Sequence, residues 1–61
     1  MDEQVLARAI EVFETRENAL EWLNSPIPTL ANRSPMSYLR TPDGIQRVLN
    51  LLGQIERGLI T

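Results

Sequence analysis

Apolar residues recur at helical spacing in the first third of the chain. Six apolar positions between residues 2 and 13 follow this spacing: Val5, Leu6, Ala9, Ile10, Val12 and Phe13. On a helix these positions share one side of the surface, and they predict a first helix over residues 2–13. A second amphipathic stretch, led by Thr15 as a capping residue, predicts another helix over residues 16–24.

Prolines divide the rest of the chain. The prolines at 26 and 28 disfavour helix within residues 25–33, which we expect to form an ordered loop because they carry apolar side chains. Ser34-Pro35 combines a capping hydroxyl with a proline and predicts a short helix over residues 35–40. Thr41-Pro42 repeats this signal and predicts a last helix over residues 42–57. We therefore expect an all-α domain of about four helices, with a proline-rich loop between the second and the third.

The last predicted helix has a wide apolar face, broader than the stripe of roughly 100° that packing on a core requires. Its residues are Ile45, Val48, Leu49, Leu51, Leu52, Ile55 and, after a helix-ending glycine, Leu59. One interpretation is that neighbouring helices of a small bundle cover this face from two sides. The other is that its edge near Leu51 and Ile55 contacts a partner protein.

Two residues are informative because of where they lie. Trp22 is the only tryptophan, and its place in a short helix before the proline-rich loop predicts a core anchor. Gly44 lies at the start of the last helix, where glycine costs up to about 1 kcal/mol relative to alanine. We expect a close neighbour to exclude a side chain at Gly44, either another chain or the packing of Trp22 or Tyr38 against this helix.

The composition excludes most catalytic and metal chemistry. The chain has no Cys and no His, and all six basic residues are Arg. Thiolate and imidazole ligands, the commonest general base and a Schiff-base lysine are therefore absent. Glu14, Glu17 and Glu21 fall on one helical side, where a solvated acidic face explains them better than a paired-carboxylate site. We expect no metal, no cofactor and no enzyme activity.

The charge balance bears on partners and on location. Eight acidic residues and six Arg give a net charge of -2, whereas domains that bind nucleic acid usually carry a basic excess. No apolar run approaches the roughly 20 residues that cross a bilayer. The acidic start Met1-Asp2-Glu3 also differs from the basic start of a signal peptide. We therefore expect a cytoplasmic protein, with no contact to nucleic acid or membrane through this chain.

Four ordered groups of residues resemble the C-terminal toxin-binding domain of the Xre/MbcA/ParS antitoxins. The groups are Ala19-x-x-Trp22-Leu23-x-x-Pro26, Leu30-x-x-x-Ser34-Pro35-x-x-x-Leu39, Thr41-Pro42-Asp43-Gly44 and Val48-x-x-x-Leu52-x-x-Ile55-x-x-Gly58. The likeness runs from about Val5 to Thr61, so we expect residues 1–61 to form one toxin-binding domain. The chain departs from the family pattern in two turns, with Glu14-Thr15 in place of a frequent Gly-Asp and Ala31-Asn32 in place of a frequent Gly-Gly.

The resemblance implies an antitoxin whose partner is a RES-domain toxin, an enzyme that consumes NAD or transfers ADP-ribose from it. Antitoxins of this family usually carry an N-terminal helix-turn-helix part that binds DNA, and we expect that part to be absent from these residues. The C-terminal end of the domain is then expected to block the active site of the toxin. With the edge of the wide apolar face, the predicted toxin-binding residues are Leu51, Gln54, Ile55, Arg57, Gly58, Leu59, Ile60 and Thr61.

Two other classes of protein remain open at this point. A self-associating module of a transcriptional regulator would use the wide apolar face to form a homodimer. A regulator that itself binds DNA is disfavoured by the acidic charge and by the absence of a helix-turn-helix pattern. The mass of the chain in solution, with and without a toxin, distinguishes the homodimer from the antitoxin.

Overall fold

The computed structural model describes residues 2–58, which fold into three α-helices and two 3₁₀ turns. Helix α1 spans Glu3–Phe13, α2 spans Arg16–Leu23 and α3 spans Pro42–Glu56, and the 3₁₀ turns Pro28–Leu30 and Pro35–Tyr38 lie between α2 and α3. The predicted bounds of these three α-helices are confirmed to within one residue at each end. Within the described range, no helix has both the length and the apolar character needed to span a membrane.

Side-chain caps fix where each α-helix begins. The Asp2 carboxylate accepts a hydrogen bond from the backbone N–H of Val5 at 2.9 Å. The hydroxyl groups of Thr15 and Thr41 each accept from the N–H three residues later, both at 3.0 Å. Each bond satisfies a backbone donor that a helix N-terminus leaves without an intrahelical partner.

The core lies between α1 and the two other helices. Its fully buried side chains are Val5, Ala9, Ala19, Leu23, Val48 and Leu52. Ala9 on α1 and Ala19 on α2 are small, which lets these two helices pack closely. Trp22 is only partly buried and packs against this cluster, so the predicted core anchor lies at the edge of the core.

The prediction of a fourth α-helix over residues 35–40 is wrong. The segment forms a 3₁₀ turn, Pro35–Tyr38, in which the Ser37 N–H donates to the Ser34 carbonyl at 3.0 Å. The proline at 42 disfavours helical geometry in Thr41, and the few residues before it cannot complete the costly nucleus of an α-helix. Ser34 is also not a side-chain cap, because its hydroxyl makes no capping hydrogen bond.

The loop after α2 is held by backbone hydrogen bonds. The Ile27 N–H donates to the Arg33 carbonyl at 3.1 Å, and the Asn32 N–H donates to the Ile27 carbonyl at 3.0 Å. Leu30 is 1% exposed and attaches the loop to the body of the domain. The Tyr38 hydroxyl donates to the Leu30 carbonyl at 2.9 Å, and this bond joins the two 3₁₀ turns.

Gly44, in the first turn of α3, lies directly against the backbone of Tyr38. A Cβ atom at Gly44 would lie 1.8 Å from the Tyr38 carbonyl oxygen and 2.8 Å from its carbonyl carbon. Both atoms belong to the backbone, so a side chain would force the second 3₁₀ turn away from α3. The expectation of a close neighbour is confirmed, and that neighbour is Tyr38.

Three non-glycine residues within the described range have left-handed backbone geometry. The φ angles are 77° at Glu14, 57° at Ala31 and 60° at Asn32. Left-handed geometry costs an L-residue roughly 1–2 kcal/mol in general, and asparagine tolerates it better than most. These residues lie in the two turns where the chain lacks the glycines that are frequent in the family it resembles.

An ion pair connects α1 to the end of α3. The Arg8 guanidinium donates to the two carboxylate oxygens of Glu56 at 2.6 and 3.0 Å, and it lies 3.6 Å from the carboxylate of Glu11. The hydrogen bond lowers the pKa of Glu56 and raises the pKa of Arg8 from their ordinary values. The pair is solvent-exposed and adds only modestly to the core packing that holds α3 against α1.

Substituting Gly44 with alanine should destabilise the domain, because the new methyl group would collide with the Tyr38 carbonyl. We expect Gly44→Ala to lower the free energy of unfolding by about 1–3 kcal/mol, the usual cost of overpacking. Urea denaturation followed by circular dichroism measures the change. Gly53→Ala on the same helix is the matched control, since no neighbouring atom lies within 4 Å of its Cβ position. If both variants lose stability, the contact with the Tyr38 carbonyl is not the reason that position 44 requires glycine.

Substituting Ala31 with glycine should stabilise the domain, because glycine adopts left-handed geometry without steric cost. The gain is reduced by the greater entropy of glycine in the unfolded chain and amounts to about 0.5–1 kcal/mol. A thermal melt should then show a rise of about 4 °C. Ala7→Gly, at an exposed position of α1, is the control and should lower the melting temperature. If Ala31→Gly also lowers it, the turn geometry described above is wrong.

Candidate functional site

An apolar groove opens beside the C-terminal ends of α1 and α2. It is lined by Phe13, Trp22, Ile27, Pro28, Thr29, Leu51 and Ile55. Its volume is about 350 Å³, which is enough to receive an apolar side chain from another molecule. Concave surfaces with mostly hydrophobic walls are the usual form of a binding site, and this groove is the candidate functional site.

Each wall of the apolar groove follows from a local feature of the chain. Phe13 is the last residue of α1, and the left-handed Glu14 turns the chain so that α2 brings Trp22 beside it. The two aromatic rings have centroids 5.3 Å apart and planes inclined by 35°, within the usual range for a favourable pair. Leu51 and Ile55 lie one turn apart on α3 and supply its wall.

The structure places the predicted toxin-binding residues on two surfaces. Leu51 and Ile55 line the apolar groove, although Leu51 is only 6% exposed and offers little more than an edge. Gln54 and Arg57 are exposed and line a separate shallow surface, which we term the α3 depression. The full lining of the α3 depression is Leu49, Asn50, Gly53, Gln54 and Arg57.

A smaller cavity shares lining residues with both surfaces. It has a volume of about 190 Å³ and is lined in part by Leu51, which belongs to the apolar groove. Asn50 and Gln54 also line this cavity, and both belong to the α3 depression. This cavity therefore borders the groove on one side and the depression on the other.

The end of α3 has the predicted glycine. Gly58 has a φ of 75°, and its N–H donates to the Ile55 carbonyl at 3.0 Å, so it ends the helix as expected. Leu59, Ile60 and Thr61, the other predicted toxin-binding residues, lie outside the described residues.

Sequence reasoning does not find the part of the groove that α1, α2 and the loop supply. Phe13 and Trp22 fit an ordinary core-facing pattern, and only their three-dimensional arrangement shows that they also line a groove. Ile27 and Pro28 belong to a loop for which the sequence suggests no role. One signal was present, since an apolar, proline-rich loop directly follows the only tryptophan.

Several polar groups of the described residues make hydrogen bonds within the fold. The hydroxyl groups of Ser25 and Ser37 each donate to a backbone carbonyl of an earlier residue at 2.6 Å. The shifted pKa values of Arg8 and Glu56 arise mainly from the hydrogen bond between these two side chains. What the site offers chemically is the burial of apolar surface against a complementary shape.

Comparison with known proteins finds relatives over nearly the whole chain. The family model described as antitoxin Xre/MbcA/ParS C-terminal toxin-binding domain matches residues 8–58. An antitoxin Xre from Photorhabdus laumondii subsp. laumondii is 34% identical over 59 residues, which are 95% of this chain and 40% of that protein. An antitoxin Xre from Yersinia enterocolitica has the same identity and coverage. The chain thus spans about 40% of the length of these curated relatives. No solved structure matches it.

The match to the family model includes every residue of the candidate site. The linings of the apolar groove and of the α3 depression fall between residues 13 and 57, inside the matched range. Both 3₁₀ turns, α2, α3 and the greater part of α1 are also within it. This chain belongs to the family of Xre/MbcA/ParS antitoxin C-terminal toxin-binding domains.

Proposed function

We propose that this chain is the toxin-binding domain of an antitoxin and that it inhibits the toxin by physical occlusion. The contact surface is the apolar groove together with the exposed C-terminal end of α3. Residues 1–61 form one domain in this proposal, and any DNA binding belongs to a part of the antitoxin outside them. Self-association through the apolar face of α3 is the alternative that the toxin-binding experiment distinguishes.

The observation that carries this proposal is the exposed apolar groove on a domain of a toxin-binding family. Val48 and Leu52 are fully buried by the fold itself, whereas Trp22 and Ile55 remain partly exposed in the groove. Binding energy at protein interfaces concentrates in aromatic anchors and desolvated pockets. The groove provides both, because Trp22 is held against Phe13 in one of its walls.

The partner is a RES-domain toxin that acts on NAD, as the family resemblance implies. Occlusion of an active site requires shape and apolar area but no catalytic group. A chain without Cys, His or Lys is suited to that role, and the domain catalyses no reaction in this proposal. Because NAD-dependent damage takes place inside the cell, the proposed site of action is the cytoplasm.

The residues after α3 form the second part of the proposed contact. Gly58 has left-handed backbone geometry and ends α3, so residues 59–61 are not part of the helix in this proposal. Leu59 and Ile60 then supply apolar side chains, and Arg57 supplies a charge, for the active site of the toxin. This part rests on the resemblance, since residues 59–61 lie outside the described range.

Placing a charge in the apolar groove should weaken toxin binding. Ile55→Glu introduces a carboxylate that binding would have to remove from water, and such burial is costly without a partner group. We expect its affinity for the RES-domain protein encoded by the neighbouring gene to fall by about 30-fold or more. Isothermal titration calorimetry measures the change, and Ala7→Glu, on an exposed part of α1, is the matched control that should bind normally.

Three outcomes of this experiment are informative. Circular dichroism shows whether the Ile55→Glu variant is folded. If the folded variant binds the toxin as tightly as the original chain, the groove is not the toxin-binding surface. Failure of the original chain to bind the neighbouring-gene protein would exclude the proposed partner. The original chain could also form a dimer in the absence of toxin. If Ile55→Glu converts that dimer to a monomer, the result supports the self-associating module instead.

The tail is tested separately from the groove. Deleting residues 59–61 should weaken protection of cells that express the toxin, because the apolar plug is lost, while the helical circular-dichroism signal stays unchanged. Replacement of the same residues by Gly-Ser-Ser is the control for chain length and should protect no better than the deletion. Full protection by the deletion variant would restrict the contact to the groove and the face of α3.

A further inference from the structure

Helix α3 contains a second glycine that the fold does not explain. Gly53 lies inside α3, where glycine destabilises a helix relative to alanine because it leaves more backbone freedom to lose. At Gly44 the Tyr38 carbonyl excludes a side chain, but no neighbouring atom lies within 4 Å of the Cβ position of Gly53. The described part of the chain therefore contains no contact that requires glycine there, and we look for the reason in a binding partner.

The surroundings of Gly53 are rich in hydrogen-bond donors. The α3 depression has a volume of about 340 Å³, with Asn50 and Arg57 among its lining residues. The Gln46 side-chain amide donates to the Asn50 side-chain oxygen at 2.9 Å, which uses one of the two lone pairs of that oxygen and orients the NH₂ group of Asn50. The Arg57 guanidinium has donors only. A partner that offers hydrogen-bond acceptors therefore matches this surface.

We propose that a main-chain segment of the toxin packs directly against α3 at Gly53. Its carbonyl oxygens accept hydrogen bonds from Asn50 and Arg57, and its backbone occupies the space that a side chain at position 53 would fill. Only glycine allows another backbone to approach a helix this closely. A polypeptide backbone also presents carbonyl acceptors whatever its sequence, so the acceptors are available wherever the segment crosses.

The position of the α3 depression favours the toxin as the occupant. The depression shares Gln54 and Arg57 with the predicted toxin-binding residues, and the cavity lined by Leu51 and Gln54 borders both the depression and the apolar groove. A partner that seats in the groove and wraps around α3 contacts both surfaces. This inference rests on the proposed function, because it takes the toxin as the partner.

Alanine at position 53 should affect stability and binding in opposite directions. In the isolated chain, Gly53→Ala is expected to raise the melting temperature by about 4 °C or more, because alanine favours the helix. Its affinity for the RES-domain protein encoded by the neighbouring gene is expected to fall about tenfold, because the methyl group overlaps the toxin backbone. Gly53→Leu, also a good helix former, should bind more weakly still. Thermal melts and titration calorimetry provide the two readouts.

The control and the outcomes separate this inference from the proposed function. The control is Ala31→Gly, which lies in a loop outside the α3 depression. It should raise the melting temperature without changing the affinity for the toxin. Gly53→Ala that binds as tightly as the original chain overturns the inference and leaves the toxin-binding function intact. An original chain that does not bind the toxin overturns both. Analytical ultracentrifugation tests for a dimer of the chain. If Gly53→Ala disrupts such a dimer and leaves toxin affinity unchanged, the occupant is a second copy of the chain, and the toxin assignment is overturned.

Discussion

The close approach of the Tyr38 carbonyl to Gly44 is the contact on which the rest of the structure depends. It seats the second 3₁₀ turn on the first turn of α3, at a separation that any side chain would prevent. The same tyrosine reaches the first 3₁₀ turn, because its hydroxyl donates to the Leu30 carbonyl. Tyr38 thus connects α3 to both turns, and its bond to Leu30 helps to hold the loop that carries Ile27 and Pro28.

The apolar face of α3 is divided between two environments. Val48 and Leu52 are fully buried against α1 and α2, and they belong to the core. Ile55 lies less than one turn beyond Leu52, beside the end of α1 at Phe13, and only part of its surface is covered. The core of the domain therefore accounts for the centre of this apolar face. The last turn of α3 supplies one wall of the apolar groove.

Local signals were sufficient to predict the helices but not the surfaces between them. Capping residues and prolines act on their immediate neighbours, so the bounds of α1, α2 and α3 could be predicted closely. Ser34-Pro35 indicates where a helical segment begins but not how long it is. The segment is only a 3₁₀ turn because Pro42 restricts the backbone of Thr41. The apolar groove joins Phe13, Trp22 and Ile55, which are distant in sequence, and no local pattern reports that they meet.

The left-handed turns have a consequence for the evolution of the domain. Glycine codons differ by one base from codons of alanine and glutamate. A single base change could therefore replace Ala31 or Glu14 with glycine and remove the backbone strain at that position. A small domain keeps such strain when its stability need only exceed a threshold. A bound partner raises the stability of the folded state in proportion to the logarithm of its concentration. If the toxin completes the fold in this way, the folded fraction of the domain depends on how much toxin is present.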